Sequence, residues 1–142
     1  MYGALDISTG GMVAQRTRAE TIAANIANRG TILDKDGQVN PYRRRHVMFA
    51  PGDPSATTKA GREMGVHVAR IDVDQSPFNM RWDPDSPYAY KTGQQAGYVP
   101  EPNINPAVEQ INMLEASRAY EANVSAAEAT KSMFSQMLRL LA

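Results

Sequence analysis

Cysteine is absent from this 142-residue chain, which excludes disulfide staples and thiolate metal sites. Net charge is absent too. Lysine plus arginine and aspartate plus glutamate number 15 each, so the composition supplies no general attraction to nucleic acid or to an anionic membrane. No apolar run approaches the ~20 residues that span a bilayer. The stretch Met1 to Gly11 carries Asp6 but no Lys or Arg, so the sequence predicts neither a membrane-spanning segment nor a cleaved secretory signal. Glycine-rich phosphate loops and a Gly-x-Ser-x-Gly nucleophile elbow are missing as well, and no acid–base or nucleophile constellation converges. The expectation is a protein that is not an enzyme, with no cofactor, no metal and no small-molecule substrate.

Proline is missing from both ends: all nine prolines fall between Pro41 and Pro106. Proline removes a backbone donor and clashes with the preceding helical turn, so this distribution separates helix-permitting flanks from a helix-forbidding middle. The N-terminal flank, Leu5 to Asn28, carries Leu5, Met12, Ala19 and Ile26 at seven-residue spacing, with Ile22 beside that line. Gly10-Gly11 weakens its first turns, and Gly30 reads as its stop. In the C-terminal flank Asn105 is placed to cap and Pro106 suits the first helical position, after which neither Pro nor Gly occurs through Ala142. Met113, Tyr120, Ala127, Phe134 and Leu141 form a seven-residue column, with Val124 and Leu138 beside it. Such spacing favours coiled-coil-like packing over a globular amphipathic face. A helix of this length spans about 55 Å, longer than the small middle region, so much of its stripe needs burial by neighbouring molecules. The flanks are accordingly expected to be disordered in a dilute monomer.

In the middle, Tyr42 to Ala50 and Val66 to Val73 read as strands joined by the Pro/Gly/Ala/Thr-rich loop Pro51 to Gly65. Apolar alternation in the second strand shifts phase by one residue, which predicts a bulge near Ala69-Arg70. The remaining prolines keep the rest extended or turning. Overall the reading is an α+β chain: an assembly helix over 1–30, a small β-rich, Pro-rich domain with linkers over 31–105, and a second assembly helix over 106–142.

Residues that suggest chemistry have plainer explanations. His46 and His67 fall on the two strands without further metal ligands at suitable spacing. Arg43-Arg44-Arg45 alternate between strand faces and so form no continuous phosphate-binding patch. Asp34-Lys35-Asp36-Gly37 resembles a calcium loop but lacks its closing glutamate, leaving an ordinary turn.

Two asparagine-bearing runs stand apart: Ala24-Asn25-Ile26-Ala27-Asn28, and Ser117-Arg118-Ala119-Tyr120-Glu121-Ala122-Asn123-Val124. With Arg16 to Asn28, Pro41-Tyr42-Arg43-Arg44, Gly65-Val66-His67-Val68, Ser76-Pro77-Phe78, Asp83-Pro84, Gly97-Tyr98-Val99, Pro102-Asn103-Ile104-Asn105, Glu109 to Met113 and Lys131-Ser132-Met133, in that order, the chain resembles the rod and hook family of the bacterial flagellum. Its length is similar to that of the proximal-rod members. The resemblance implies a structural subunit exported by the flagellar type III apparatus without a cleaved signal, located in the rod of the basal body on the periplasmic side. It further implies helical assembly with other copies and other rod proteins into a torque-bearing shaft. Terminal helices would pack inside and the small domain outside, with no nucleic-acid partner. The assembly contacts then fall to Leu5, Met12, Ala19, Ile22, Asn25, Ile26, Asn28, Met113, Ser117, Arg118, Tyr120, Asn123, Val124, Ala127, Phe134, Leu138 and Leu141. The competing reading is a soluble coiled-coil adapter or binding module, which has no reason to carry both asparagine runs.

Overall fold

The computed structural model describes residues 2–141, without the side chain of Leu141. Helix α1 runs Tyr2–Ala27 and helix α3 runs Pro106–Leu141. Between them lie strand β1 (Arg45–Pro51), the short helix α2 (Lys59–Met64), and strands β2 (Val66–Val73), β3 (Asn79–Trp82) and β4 (Tyr98–Glu101). β1 pairs antiparallel with β2, and β3 antiparallel with β4, as two separate two-stranded sheets. The architecture is α+β. No described helix is long and apolar enough to cross a membrane.

α3 begins as its sequence dictates. The Asn105 side-chain oxygen accepts from the N–H of Ala107 at 3.0 Å, and Pro106 occupies the first turn, where its missing donor costs nothing. α1 continues straight through Gly10-Gly11. At its C-terminal end the Asn28 amide donates to the Ala24 carbonyl at 2.9 Å. Gly30 has no positive φ, so asparagine rather than a left-handed glycine manages the exit.

The two long helices lie antiparallel against each other, which the pairings Tyr2–Phe134, Arg18–Glu115 and Asn25–Glu109 establish along their length. Burial of the flanks is thus largely mutual within one molecule. Each flank meets the other within one molecule, a contact that the sequence expectation had assigned to neighbouring molecules. Nor does the N-terminal column Leu5, Met12, Ala19 and Ile26 form the most buried line. Those four are half-buried, whereas Ser8, Gly10, Gly11, Ala14, Thr21, Ile22 and Asn25 are buried. α1 is covered on more than one side, by α3 and by the α2, β1 and β2 elements. A single seven-residue column cannot describe a helix that packs on two sides.

Small residues decide how close the helices come. A Cβ at Gly11 would sit 2.5 Å from the Asn123 side-chain oxygen. The buried apolar residues are few and mostly modest in size: Ala14, Ile22, Val99, Ile104 and Ala116. The buried hydroxyl of Thr21 donates to the carbonyl four residues before it at 2.9 Å, so it enters this packing without an unpaired donor.

In the β1–β2 ribbon Met48 faces Arg70 and Phe49 faces Val68, leaving Ala69 as the extra residue at the position the phase shift predicts. β1 starts later than the expected Tyr42. The loop Pro51 to Gly65 contains α2, whose six residues are too few to show a periodicity. Thr58 caps it by accepting from the Gly61 N–H at 3.1 Å. The Asp6 carboxyl of α1 takes the Thr58 N–H at 2.8 Å and the Thr57 hydroxyl at 3.0 Å, docking the loop on the long helix. β3 and β4 were also not expected as strands. Their hairpin is closed by Trp82, whose ring meets Tyr98 edge-on at 4.9 Å and covers the position a Cβ of Gly97 would take, at φ +84°. Asp34 accepts from the N–H groups of Asp36 and Gln38, both at 3.0 Å, making the ordinary turn.

Hydrogen bonds from Thr58, side chain and backbone, and then from Thr57 hold the Asp6 carboxyl below its usual 3.8. A depressed carboxyl contributes stability above its unfolded pKa and loses it as pH falls through the folded value. The expected outcome is local: exchange protection across Pro51 to Gly65, taken relative to the intrinsic amide rate at each pH, should fall as the pH drops from about 5 to about 2, and Asp6→Asn should flatten that dependence. A flat profile in the unaltered protein would contradict the docking role.

Candidate assembly interface

The structure divides the residues singled out in the sequence into those that hold the molecule together and those that face outward. Asn25 and Glu109 are both 0% exposed and lie in direct contact. The Asn25 amide donates to Glu109 Oε2 at 2.9 Å and to the Arg45 carbonyl at 2.7 Å, and its oxygen accepts from the Arg45 N–H at 2.9 Å. One helical side chain therefore pairs with a strand residue as a neighbouring strand would. The hydroxyl of Tyr42 reaches the same oxygen at 3.5 Å. On the far side, Arg44 Nε donates to Glu109 Oε1 at 2.8 Å, and the Arg44 N–H donates to the Asn103 side-chain oxygen at 2.8 Å. Asn103 in turn reaches the carbonyls of Asp74 and Ser76. Every polar end of this chain of contacts is satisfied, as burial requires.

Along α3, the most buried line is Glu109, Ala116, Asn123 and Thr130, also spaced by seven. The column Met113, Tyr120, Ala127 and Phe134 runs beside it and is half-buried, apart from Tyr120 at 40% exposure. Sequence reading missed the first line because only Ala116 in it is apolar. The signal was present as a seven-residue repeat of small and polar residues. Phe134 meets the Tyr2 ring at 5.9 Å between centroids, with Leu5 and Thr130 closing the contact. Asn123 lies over Gly11 and donates to the Ala119 carbonyl of its own helix at 2.8 Å. Ile22 is buried; Met12, Ile26, Asn28 and Val124 are half-buried.

Other expected contact residues stay available. Ser117, Arg118 and Leu138 are exposed, while Leu141 lies outside the described side chains. Ala19, Ser117 and Tyr120 come together in a groove of about 490 Å³ between α1 and α3, with Gln15, whose side-chain oxygen is buried without a hydrogen-bond partner among the described residues.

A second face of α3 was not expected at all. Ile111, Ala122 and Met133 recur every eleven residues, as do Ala126 with Met137 and Ala129 with Leu140, and all are exposed. Ile111 is 59%, Met133 56% and Leu140 87% exposed. Eleven residues make three turns of 3.67, so this stripe runs nearly straight down the helix, on a different side from the line that meets α1. Over Ile111 to Leu140 it extends about 44 Å. Glu115, Arg118 and Gln136 fall within the same sector, so the apolar side chains of this face are separated by polar ones.

The histidines do not face each other: His46 lies opposite Asp72, and His67 opposite Ala50. Two of the three consecutive arginines make polar contacts within the molecule. Arg43 sits 4.2 Å over the Phe78 ring and donates to the Asp74 and Ser76 carbonyls, Arg44 binds Glu109, and Arg45 lies over Tyr42.

Comparison with known proteins places these features. Residues 5–31 match the family described as “Flagella basal body rod protein”, and residues 95–140 match “Flagellar basal body rod FlgEFG protein C-terminal”. The chain is 37% identical over 150 residues to the flagellar basal-body rod protein FlgC of Borreliella burgdorferi, covering 99% of this chain and 97% of that one. It is 34% identical over 149 residues to the Bacillus subtilis FlgC, at 98% and 97% coverage. With FlgC of Salmonella typhimurium the identity is 34% over 139 residues, at 95% and 93%.

Removing one partner from a buried hydrogen-bonded charge site leaves the other uncompensated, at a cost of about 3–5 kcal/mol. Asn25→Asp replaces the donor facing Glu109 with a second carboxyl. It should destabilise the monomer by roughly that amount in urea titration, whereas Asn28→Asp, on the helix exit, should cost about 1 kcal/mol or less. Equal effects would show that the Asn25–Glu109 contact is not special.

Proposed function

From a chain that belongs to the FlgC family of flagellar basal-body rod proteins, and is therefore a structural subunit of the basal-body rod, we infer how it builds that rod. Its outer α3 stripe and the open groove between α1 and α3 pack against the terminal helices of neighbouring rod subunits, copies of itself and other rod proteins. Packing in this assembly is coiled-coil-like, with the helices of 1–30 and 106–142 in an inner layer and the strands of 31–105 outside. The observation that carries the reading is the Ile111–Ala122–Met133 face. It carries exposed apolar side chains over about 33 Å, or about 44 Å if followed on to Leu140, and lies on a different side of α3 from the buried line Glu109, Ala116, Asn123 and Thr130.

Magnitudes favour many weak contacts over one strong one. A helix is about 10–12 Å wide, so one such stripe offers on the order of 500 Å², short of the ~800 Å² per partner of a standard stable interface. A single face does not hold a dimer in dilute solution. Several faces engaged together in a polymer do. Unlike surface patches meeting head to tail generate an open helical assembly of this kind. Rigidity under torque follows from packing density among interdigitated helices, and no reacting group is required. The finer placement, in the proximal rod on the periplasmic side after export by the type III apparatus without a cleaved signal, rests on the family resemblance.

The division between inward and outward residues gives a direct test. Met133→Asp changes an exposed side chain, so the monomer should melt within about 0.5 kcal/mol of the unaltered protein, while cells carrying only this variant should lack completed rods and not swim. Phe134→Asp, its neighbour against Tyr2, should lower monomer stability as well. Normal swimming with Met133→Asp would remove the outer α3 face from the assembly.

A further inference from the structure

Between the β1–β2 ribbon and the α1–α3 pair lies a cleft of about 330 Å³. Ile22, Val47 and Phe49 contribute its apolar lining, and Arg18, Arg44 and Arg45 give it a basic rim. Two of the three guanidinium groups are occupied. Arg18 pairs with Glu115 at 3.0 Å, and Arg44 with Glu109 at 2.8 Å. Arg45 meets only the Tyr42 ring, at 5.5 Å, and no carboxylate among the described residues. The lining is mixed, with Thr21, His46 and Asn112 beside the three apolar side chains, and such a cleft under an unpaired guanidinium suits a side chain that is aliphatic near its backbone and anionic at its tip, as glutamate is.

The same chain carries that complement elsewhere. Glu121 and Glu128 on α3 are exposed and make no ion pair or side-chain hydrogen bond among the described residues. They continue the seven-residue line that starts at exposed Leu114. They cannot fill the cleft of their own molecule. Asn112 is the α3 residue that borders it, and on a rigid helix Glu121 and Glu128 lie about 14 and 24 Å further along.

We propose that the Arg45 cleft receives the carboxylate of Glu121 or Glu128 from a second copy of this chain. The proposal rests on the reading of the protein as a rod subunit and adds to it a specific contact between copies. Cleft and acidic line are different surfaces, so the contact is head-to-tail and propagates without closing. A partly exposed charge pair sets register and partner choice more than affinity, a role that the apolar α3 stripe, which repeats along its length, cannot fill alone.

The test is a charge exchange in cells whose only copy is the variant, with thermal melts of each purified protein alongside. Arg45→Glu and the pair Glu121→Arg with Glu128→Arg should each reduce completed rods about tenfold. All three changes combined should restore them to within about twofold, and Arg45→Lys should swim normally. Rescue by the exchange cannot come from a folding defect, and Arg45→Gln supplies a milder version if Arg45→Glu melts early. A combined variant as defective as the single ones would overturn the proposal, as would normal rod yield with Arg45→Glu. If Met133→Asp abolishes swimming while Arg45→Glu does not, the cleft contact alone is wrong. If both swim normally, the packing model for the rod goes with it.

Discussion

The arrangement of α1, β1 and α3 is positioned by the contact between Asn25 and Glu109, side chains from opposite ends of the sequence that are both fully buried. Asn25 fastens α1 to β1 through both backbone groups of Arg45, and Glu109 fastens α3 to the same strand through Arg44. Two long helices with small residues along their contact can slide by a turn at little cost. A buried amide and a buried carboxylate cannot, because each displaced group would lose its partners in a low-dielectric interior. A buried ion pair adds little net stability compared with a well-packed apolar pair. Its contribution here is register.

With register held by one polar site, the apolar surface is left for other uses. The apolar residues that are buried are few, and two of the five largest fully buried side chains are Glu109 and Asn25 themselves. Ile111, Met133 and Leu140 remain exposed. A monomer seeking maximum stability would bury them. On the packing proposed above for this rod-family chain, a subunit of a polymer keeps them for its neighbours.

Much of this organisation was legible in advance. The proline distribution located both helices, Asn105-Pro106 marked the start of α3, and the apolar phase shift located the bulge at Ala69. Elements whose determinants are non-local were not. α2 exists because Thr58 caps it and Asp6 holds its approach. β3 and β4 exist because Trp82 packs on Tyr98 over Gly97, pairing residues separated by a long turn. For the interface, a search for apolar periodicity found the column through Met113 and Phe134 and passed over Glu109, Ala116, Asn123 and Thr130, because burial in this seam depends on small size and satisfied hydrogen bonds.

The sequence by itself determined two terminal helices, an irregular middle and, through its ordered motifs, membership of a rod-protein family. These follow from local rules: where proline forbids a helix, where asparagine caps one, and how often apolar residues recur. Only the tertiary structure decided which face of each helix is spent inside the molecule and which is left outside. That choice depends on where Asn25 meets Glu109. Residues far apart in sequence select each other by burial and hydrogen bonding, and no periodicity within either helix records the result.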